Sequence, residues 1–216
     1  MLDTMTELEN LGLDGAHGVT RRSGLLHATR VATRRGWRAV ESLAVGDEVL
    51  TFDAGLQPIT AIERVINWPD HKTCPDHAAP FEIPAGVLGN AERIWMLPAQ
   101  LVVVESDLAE TLTGDPFALV PVDVLDGWRG IRRVDPRAPH LVVILHFADD
   151  QVIYAGDGAL VHTQAEASMV EAMMDDDPAY LPLDRATARL VADHLRAADT
   201  RGEREQEHDR GAWSHG

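Results

Sequence analysis

From residue 24 to about 164 the apolar residues come in short runs divided by turn formers, and this spacing constrains the fold more than any other feature. The runs are residues 29–33, 48–52, 59–66, 95–104, 141–147 and 151–154. Between them lie Arg35-Gly36, Val45-Gly46-Asp47, Asp53-Ala54-Gly55 and Asp126-Gly127. Runs this short, bounded by glycine and aspartate, predict strands of a β-sandwich or barrel. Residues 101–104 and 141–145 are continuously apolar, which predicts strands buried on both faces. Residues 39–43 predict a single helical turn leading into Gly46-Asp47. There Gly46 supplies a turn conformation that a side chain would oppose, and Asp47 can bond nearby backbone amides. The expected fold class is mainly β, a compact fold of short strands with a helical C-terminal segment.

The flanks differ. Residues 1–23 mix polar residues with Gly12, Gly15 and Gly18 and read as a flexible leader. After Thr163, residues 165–174 are helix formers, interrupted at 175–178 by three aspartates and a proline. Asp184 is placed to N-cap a helix with Leu183, Ala186, Leu190, Val191 and Leu195 on one face, and Gly202 to end it. Residues 203–216 lack apolar mass and are expected to be disordered. The organisation predicted is a leader (1–23), a β-domain (24–164), a helical appendage (165–202) and a tail (203–216).

Composition excludes several functions. An apolar fraction of 45% suits a globular protein, and no stretch approaches the ~18 apolar residues of a spanning helix. A net charge of -16 repels phosphate backbones and anionic lipid, so neither nucleic acid nor membrane is an expected partner. The lone cysteine, Cys74, cannot form an internal disulfide, and residues 1–15 carry acids where an export signal needs a basic start; both point to the cytoplasm. The densest ligand cluster is Asp70, His71, Cys74, Asp76 and His77. His71, Cys74 and His77 at intervals of three are candidate zinc ligands. Pro69 and Pro75 make the segment read instead as a polar surface loop, and a structural zinc site draws on two separated segments, so neither metal nor cofactor is expected. No G-x-S-x-G elbow marks a hydrolase. Of five tryptophans, four fall within the β-domain, where core packing is their expected role.

Residues 28–51, Ala-Thr-Arg-Val-Ala-Thr-Arg-Arg-Gly-Trp-Arg-Ala-Val-Glu-Ser-Leu-Ala-Val-Gly-Asp-Glu-Val-Leu-Thr, resemble the opening block of bacterial hedgehog/intein (Hint) domains. That block has a small-residue strand, a glycine hairpin, a "V-E-x-L" turn and then "G-D-x-V-L-T". Residues 53–59 are similar to the family's next hairpin, 84–90 to its "x-A-G-A-L-G" segment, and 130–133 and 152–155 to two later landmarks.

The resemblance implies an autoprocessing fold. In active members a first-residue thiol or hydroxyl attacks the preceding carbonyl, and a second nucleophile resolves the ester. The family's cysteine, five residues before Thr29, falls here on Gly24. Its activating histidine, in a block matching residues 97–100, falls on Gln100, which cannot shuttle a proton near neutral pH. A third histidine position is held by Asp150. Residual candidates are Ser23, one residue out of register, and His146, whose bulky neighbours Leu145 and Phe147 suit a satisfied core or edge histidine. The implied function is a non-catalytic structural or interaction module whose partner is another protein. The alternative is self-cleavage, intein-like protein splicing chemistry, near Ser23–Gly24.

Overall fold

The computed structural model describes residues 23–67, 74–136, 138–165 and 180–212, and over these the chain builds two antiparallel sheets and two α-helices. The first sheet holds β1 (Leu25–Leu26), β6 (Ala61–Asn67), β7 (Phe81–Ile83), β8 (Ile94–Met96), β11 (Arg132–Arg133) and β12 (His140–His146). Their order is β11-β7-β8-β1-β12-β6. The second holds β2 (Arg30–Thr33), β3 (Gly36–Ala39), β4 (Glu48–Leu50), β5 (Leu56–Pro58), β9 (Leu101–Glu105), β10 (Phe117–Pro121), β13 (Gln151–Ala155) and β14 (Ala159–Thr163). Its order is β10-β9-β14-β13-β2-β4-β5, with β3 paired to β2. The mainly-β architecture expected from the spacing is the one observed.

The start of the domain lies inside a sheet. Leu25 faces Met96 of β8 on one side and Val143 of β12 on the other. Two leucines in that setting are fully enclosed, and their burial fixes where the preceding residues emerge.

β12 carries buried Leu141, Val142, Val143 and Leu145, as a continuous apolar run predicts. β9 does not behave this way: Val102 and Val104 are buried, while Leu101 and Val103 are only half-covered. Residues 95–104 are also two strands rather than one. Pro98 has no N–H for a ladder, and the Gln100 amide turns back to the Leu97 carbonyl at 3.0 Å.

The Gly46-Asp47 turn forms as its residues dictate. A 3-10 turn at Val40–Ser42 precedes it, and Gly46 has φ +87°. Asp47 Oδ2 accepts from the Ala44 amide and from Arg38, each at 2.9 Å. The Ala44 amide holds the Asp47 carboxyl below its ordinary range, with Arg38 adding to it.

One core joins the sheets, built on Phe81, Ile83, Met96, Ile131, Leu145, Phe147 and Ile153. Of the tryptophans only Trp128 behaves as a core residue among those described. Trp37 and Trp95 are 37% and 44% exposed. Trp95 sits between buried Ile94 and Met96, and the two-residue period of a strand turns it outward. Trp68 and Trp213 lie outside the described residues.

Two helices complete the chain. α1 (Asp107–Thr113) is absent from the sequence-based expectation. Ser106 caps it by accepting the Ala109 amide, and Gly114, left-handed, closes it. α2 (Arg185–Ala212) is capped as expected, Asp184 Oδ1 accepting the Ala186 and Thr187 amides at 2.9 and 3.2 Å. Its inward face differs. Ala188, Val191 and Ala192 are fully buried and Leu195 packs beside them, whereas Leu190 is 58% exposed and Ala186 is exposed. The i, i+3, i+4, i+7 stripe thus begins at Ala188.

α2 also runs past Gly202 to Ala212. A glycine inside a helix costs about 1 kcal/mol but does not end it, and the Glu, Arg and Gln that follow are good helix formers. Among the described residues no helix is long and apolar enough to cross a membrane. The leader through residue 22, the helix-forming stretch 166–174 and residues 213–216 lie outside the described residues.

One core-edge histidine carries a pH prediction. His140, 8% exposed, has Nε2 3.4 Å from the Asn67 side-chain amide. Burial, reinforced by nearby His27, pushes its pKa down to about 4. The folded protein therefore keeps His140 neutral while the unfolded chain takes up a proton near pH 6.5. Stability present above 6.5 is lost as pH falls toward 4, by roughly 3 kcal/mol. Urea midpoints measured from pH 7.5 to 4.5 should fall, and His140→Gln should flatten that slope. An unchanged slope in the variant would refute the assignment.

Candidate functional site

Ser23 and Gly24 enter directly ahead of β1, so both stand at the mouth of the cleft where β1, β9, β12 and β14 meet. The cleft has a volume of about 80 Å³ and is lined by Ser23, Gly24, Gln100, Leu145, His162 and Gln164 among others. It admits a few waters or a side-chain tip.

Gly24 is held by geometry as well as by lack of a side chain. Its φ is +118°, a region that residues with a Cβ rarely adopt. A Cβ there would lie 2.5 Å from Val142 Cγ1 and 3.1 Å from Ile144 Cγ1. Its N–H donates to Gln100 Oε1 at 2.9 Å.

Gln100, 4% exposed, uses the rest of its amide on two further segments. Nε2 donates to the His162 carbonyl at 2.8 Å and to the Leu101 carbonyl at 3.1 Å. One side chain thus ties the start of β1 to β9 and β14. The amide it grips is that of the Ser23–Gly24 peptide bond, where the family resemblance places the activating histidine. A carboxamide can hold that N–H, but it has no proton to give or take.

The other sequence-derived positions separate. Asp150, in the turn between β12 and β13, does not line the cleft. Its Oδ2 accepts from His162 Nε2 at 3.3 Å and its Oδ1 from the Ala165 amide at 2.7 Å. The His162 hydrogen bond, with the Ala165 amide behind it, holds the Asp150 carboxyl below its usual range against the opposing effect of burial. His146 closes β12 with Nε2 3.1 Å from Glu63 Oε1, away from the cleft. His162 was not singled out by the sequence. It reaches the cleft because β14 pairs with β9, Val161 opposite Val102, and its ring packs edge-on to Tyr180 at 5.9 Å.

Of the three zinc candidates, Cys74 and His77 lie among the described residues. Cys74 is buried, its thiol directed to the Pro75 carbonyl at 3.7 Å, and burial pushes its pKa up. His77 is exposed, and His71 and Asp70 lie outside the described residues. Among those described, no group of three or more His, Cys, Asp or Glu is arranged to hold a metal.

Two curled antiparallel sheets with β1 threaded between β8 and β12, and the Gly24 amide ahead of it held by Gln100, define a compact two-sheet β-domain. The sequence profile of the family described as "Hint domain" matches residues 23–169, and this chain belongs to that family. Solved structures similar to it include the bacterial intein-like domain from Clostridium thermocellum, at 13% identity over 66% of this chain and 100% of that one, with a TM-score of 0.48. The MchDnaB-1 intein is similar at 16% identity over 64% of this chain and 99% of that one, with a TM-score of 0.42. No curated protein matches the chain.

Proposed function

We propose that this Hint domain is a non-catalytic scaffold that serves as a structural or protein-interaction module in the cytoplasm. The observation that carries the reading is Gly24. The position of the attacking residue has neither a nucleophile nor room for one, since a Cβ would meet Val142 at 2.5 Å. Gln100 in the place of the activating histidine, and Asp150 turned to His162 outside the cleft, support it further. The lone cysteine fits a reducing compartment.

The second reading, self-cleavage at Ser23, is favoured by one fact: Ser23 is exposed and lines the same cleft as His162. Intact-mass measurement of freshly expressed protein separates the two. The scaffold reading expects the full-length mass at all times after synthesis. Loss of a fragment ending at Arg22 or Ser23 that stops in a Ser23→Ala variant would overturn it in favour of self-cleavage.

A further inference from the structure

An exposed aromatic pair stands apart from the cleft. Phe52, just after β4, and Phe117, opening β10, are 40% and 45% exposed. Their rings meet edge to face with centroids 5.6 Å apart. Backbone bonds hold both: the Phe52 amide donates to the Val152 carbonyl at 2.8 Å, and the Phe117 amide to Asp115 Oδ1 at 2.8 Å. Leu181, 71% exposed, precedes Pro182, which bridges Leu119 two residues along β10 from Phe117. Two large rings fixed in water, with an aliphatic residue on the adjoining segment, make an apolar anchor of the kind found at interface centres.

Three carboxylates border the rings. Asp53 follows Phe52, Glu105 stands opposite Phe117 in the ladder, and Asp115 holds its amide; all three are exposed. The two segments that supply the rings, 48–63 and 94–128, contain no lysine, arginine or histidine. A carboxylate rim without bases on its own segments attracts cations and repels most of this chain, whose net charge is -16.

We propose that the Phe52–Phe117 surface docks a cationic segment of a partner protein, one that presents an aromatic or aliphatic side chain flanked by arginines or lysines. The proposal rests on the scaffold reading and names its partner class. The apolar residue would seat against the two rings, while its flanking cations meet Asp53, Glu105 and Asp115. Electrostatic attraction sets the approach and the rings set the residence time.

The test uses the full chain and a labelled Arg-Leu-Arg-Phe-Arg peptide, followed by fluorescence anisotropy. A protein this acidic binds any polycation weakly, so the readout is a difference. Phe52→Ser/Phe117→Ser should weaken binding by about tenfold. Asp53→Asn/Glu105→Gln/Asp115→Asn should weaken it and flatten its salt dependence. A control that removes three exposed carboxylates elsewhere, Glu92→Gln/Asp126→Asn/Asp193→Asn, should leave the affinity within about twofold of the parent. The charge variants change only surface groups and so keep the test alive if the serine variant fails to fold. Equal weakening by control and rim variants would overturn the proposal, as would no binding at millimolar peptide. Sedimentation showing a dimer that the phenylalanine variant dissolves would overturn it too, by placing a second copy there. None of these results bears on the intact mass, so the scaffold reading stands or falls separately.

Discussion

A side chain placed at Gly24 lowers stability by about 3 kcal/mol, and a cysteine there produces no cleavage. Two costs add. Forcing a residue with a Cβ to stay near φ +118° costs roughly 1–3 kcal/mol, and overpacking a filled core costs typically 1–3 kcal/mol more. The Cβ would meet Val142, which is fully buried among Leu26 and Leu97 and has a stiff branched side chain with nowhere to turn. Chemical denaturation of Gly24→Ala and Gly24→Cys should show the loss. Val142→Ala combined with Gly24→Ala should cost less than the two changes summed, because the smaller neighbour removes the clash and leaves only the backbone cost. The double variant Gly24→Cys/Gln100→His restores both residue types of the active family. It is expected to keep its full-length mass even with added thiol, since a thiol that must push β1 off Val142 is not aimed at the Ser23 carbonyl. Cleavage in that variant would mean that two substitutions alone silence the site and would refute the geometric argument.

The same positions show how much the residues disclosed in advance. Strands came through because alternation and turn glycines are local: Gly46 and Asp47 fix their turn with atoms a few residues apart. Gly24 and Gln100 were singled out separately, each from its own short motif, and the bond between them at 2.9 Å emerges only when the fold brings the two motifs together. His162 was not legible, because its place depends on β14 pairing with β9 and on a bond to Gln100 across 62 residues. α1 was missed although Ser106 and Gly114 flank it, since it is only seven residues long and follows directly on the apolar run 95–104, which reads as a strand. The inner face of α2 was assigned by weight of leucine, which drew Leu190 inward. Close packing against the 3-10 turns at Val122–Leu125 and Trp128–Gly130 favours alanine instead, and places Ala188 and Ala192 there.

That reassigned face yields the second large effect: Val191→Asp should destabilise the domain by about 4 kcal/mol, while Leu190→Asp should change it by less than about 0.5 kcal/mol. Val191 is fully buried and Leu190 is 58% exposed, although they are neighbours on one helix. A carboxylate at 191 would be buried without a cation beside it, and water would have to enter the contact to solvate it. Polar ties frame the face and fix its register. Arg185 reaches Asp123 at 2.7 Å, Arg196 donates to the Val124 and Asp126 carbonyls at 2.7 Å each, and Asp199 accepts from Trp128 Nε1 at 2.9 Å and from Arg129. These ties are partly solvated, so Asp199→Ala should cost only about 1 kcal/mol. They hold the helix at one rotation more than they hold it on. Thermal or urea unfolding of the three variants decides the matter. If Leu190→Asp proved as damaging as Val191→Asp, the helix would be rotated by about 100° from the packing described, and the face expected from the leucines would be the buried one after all.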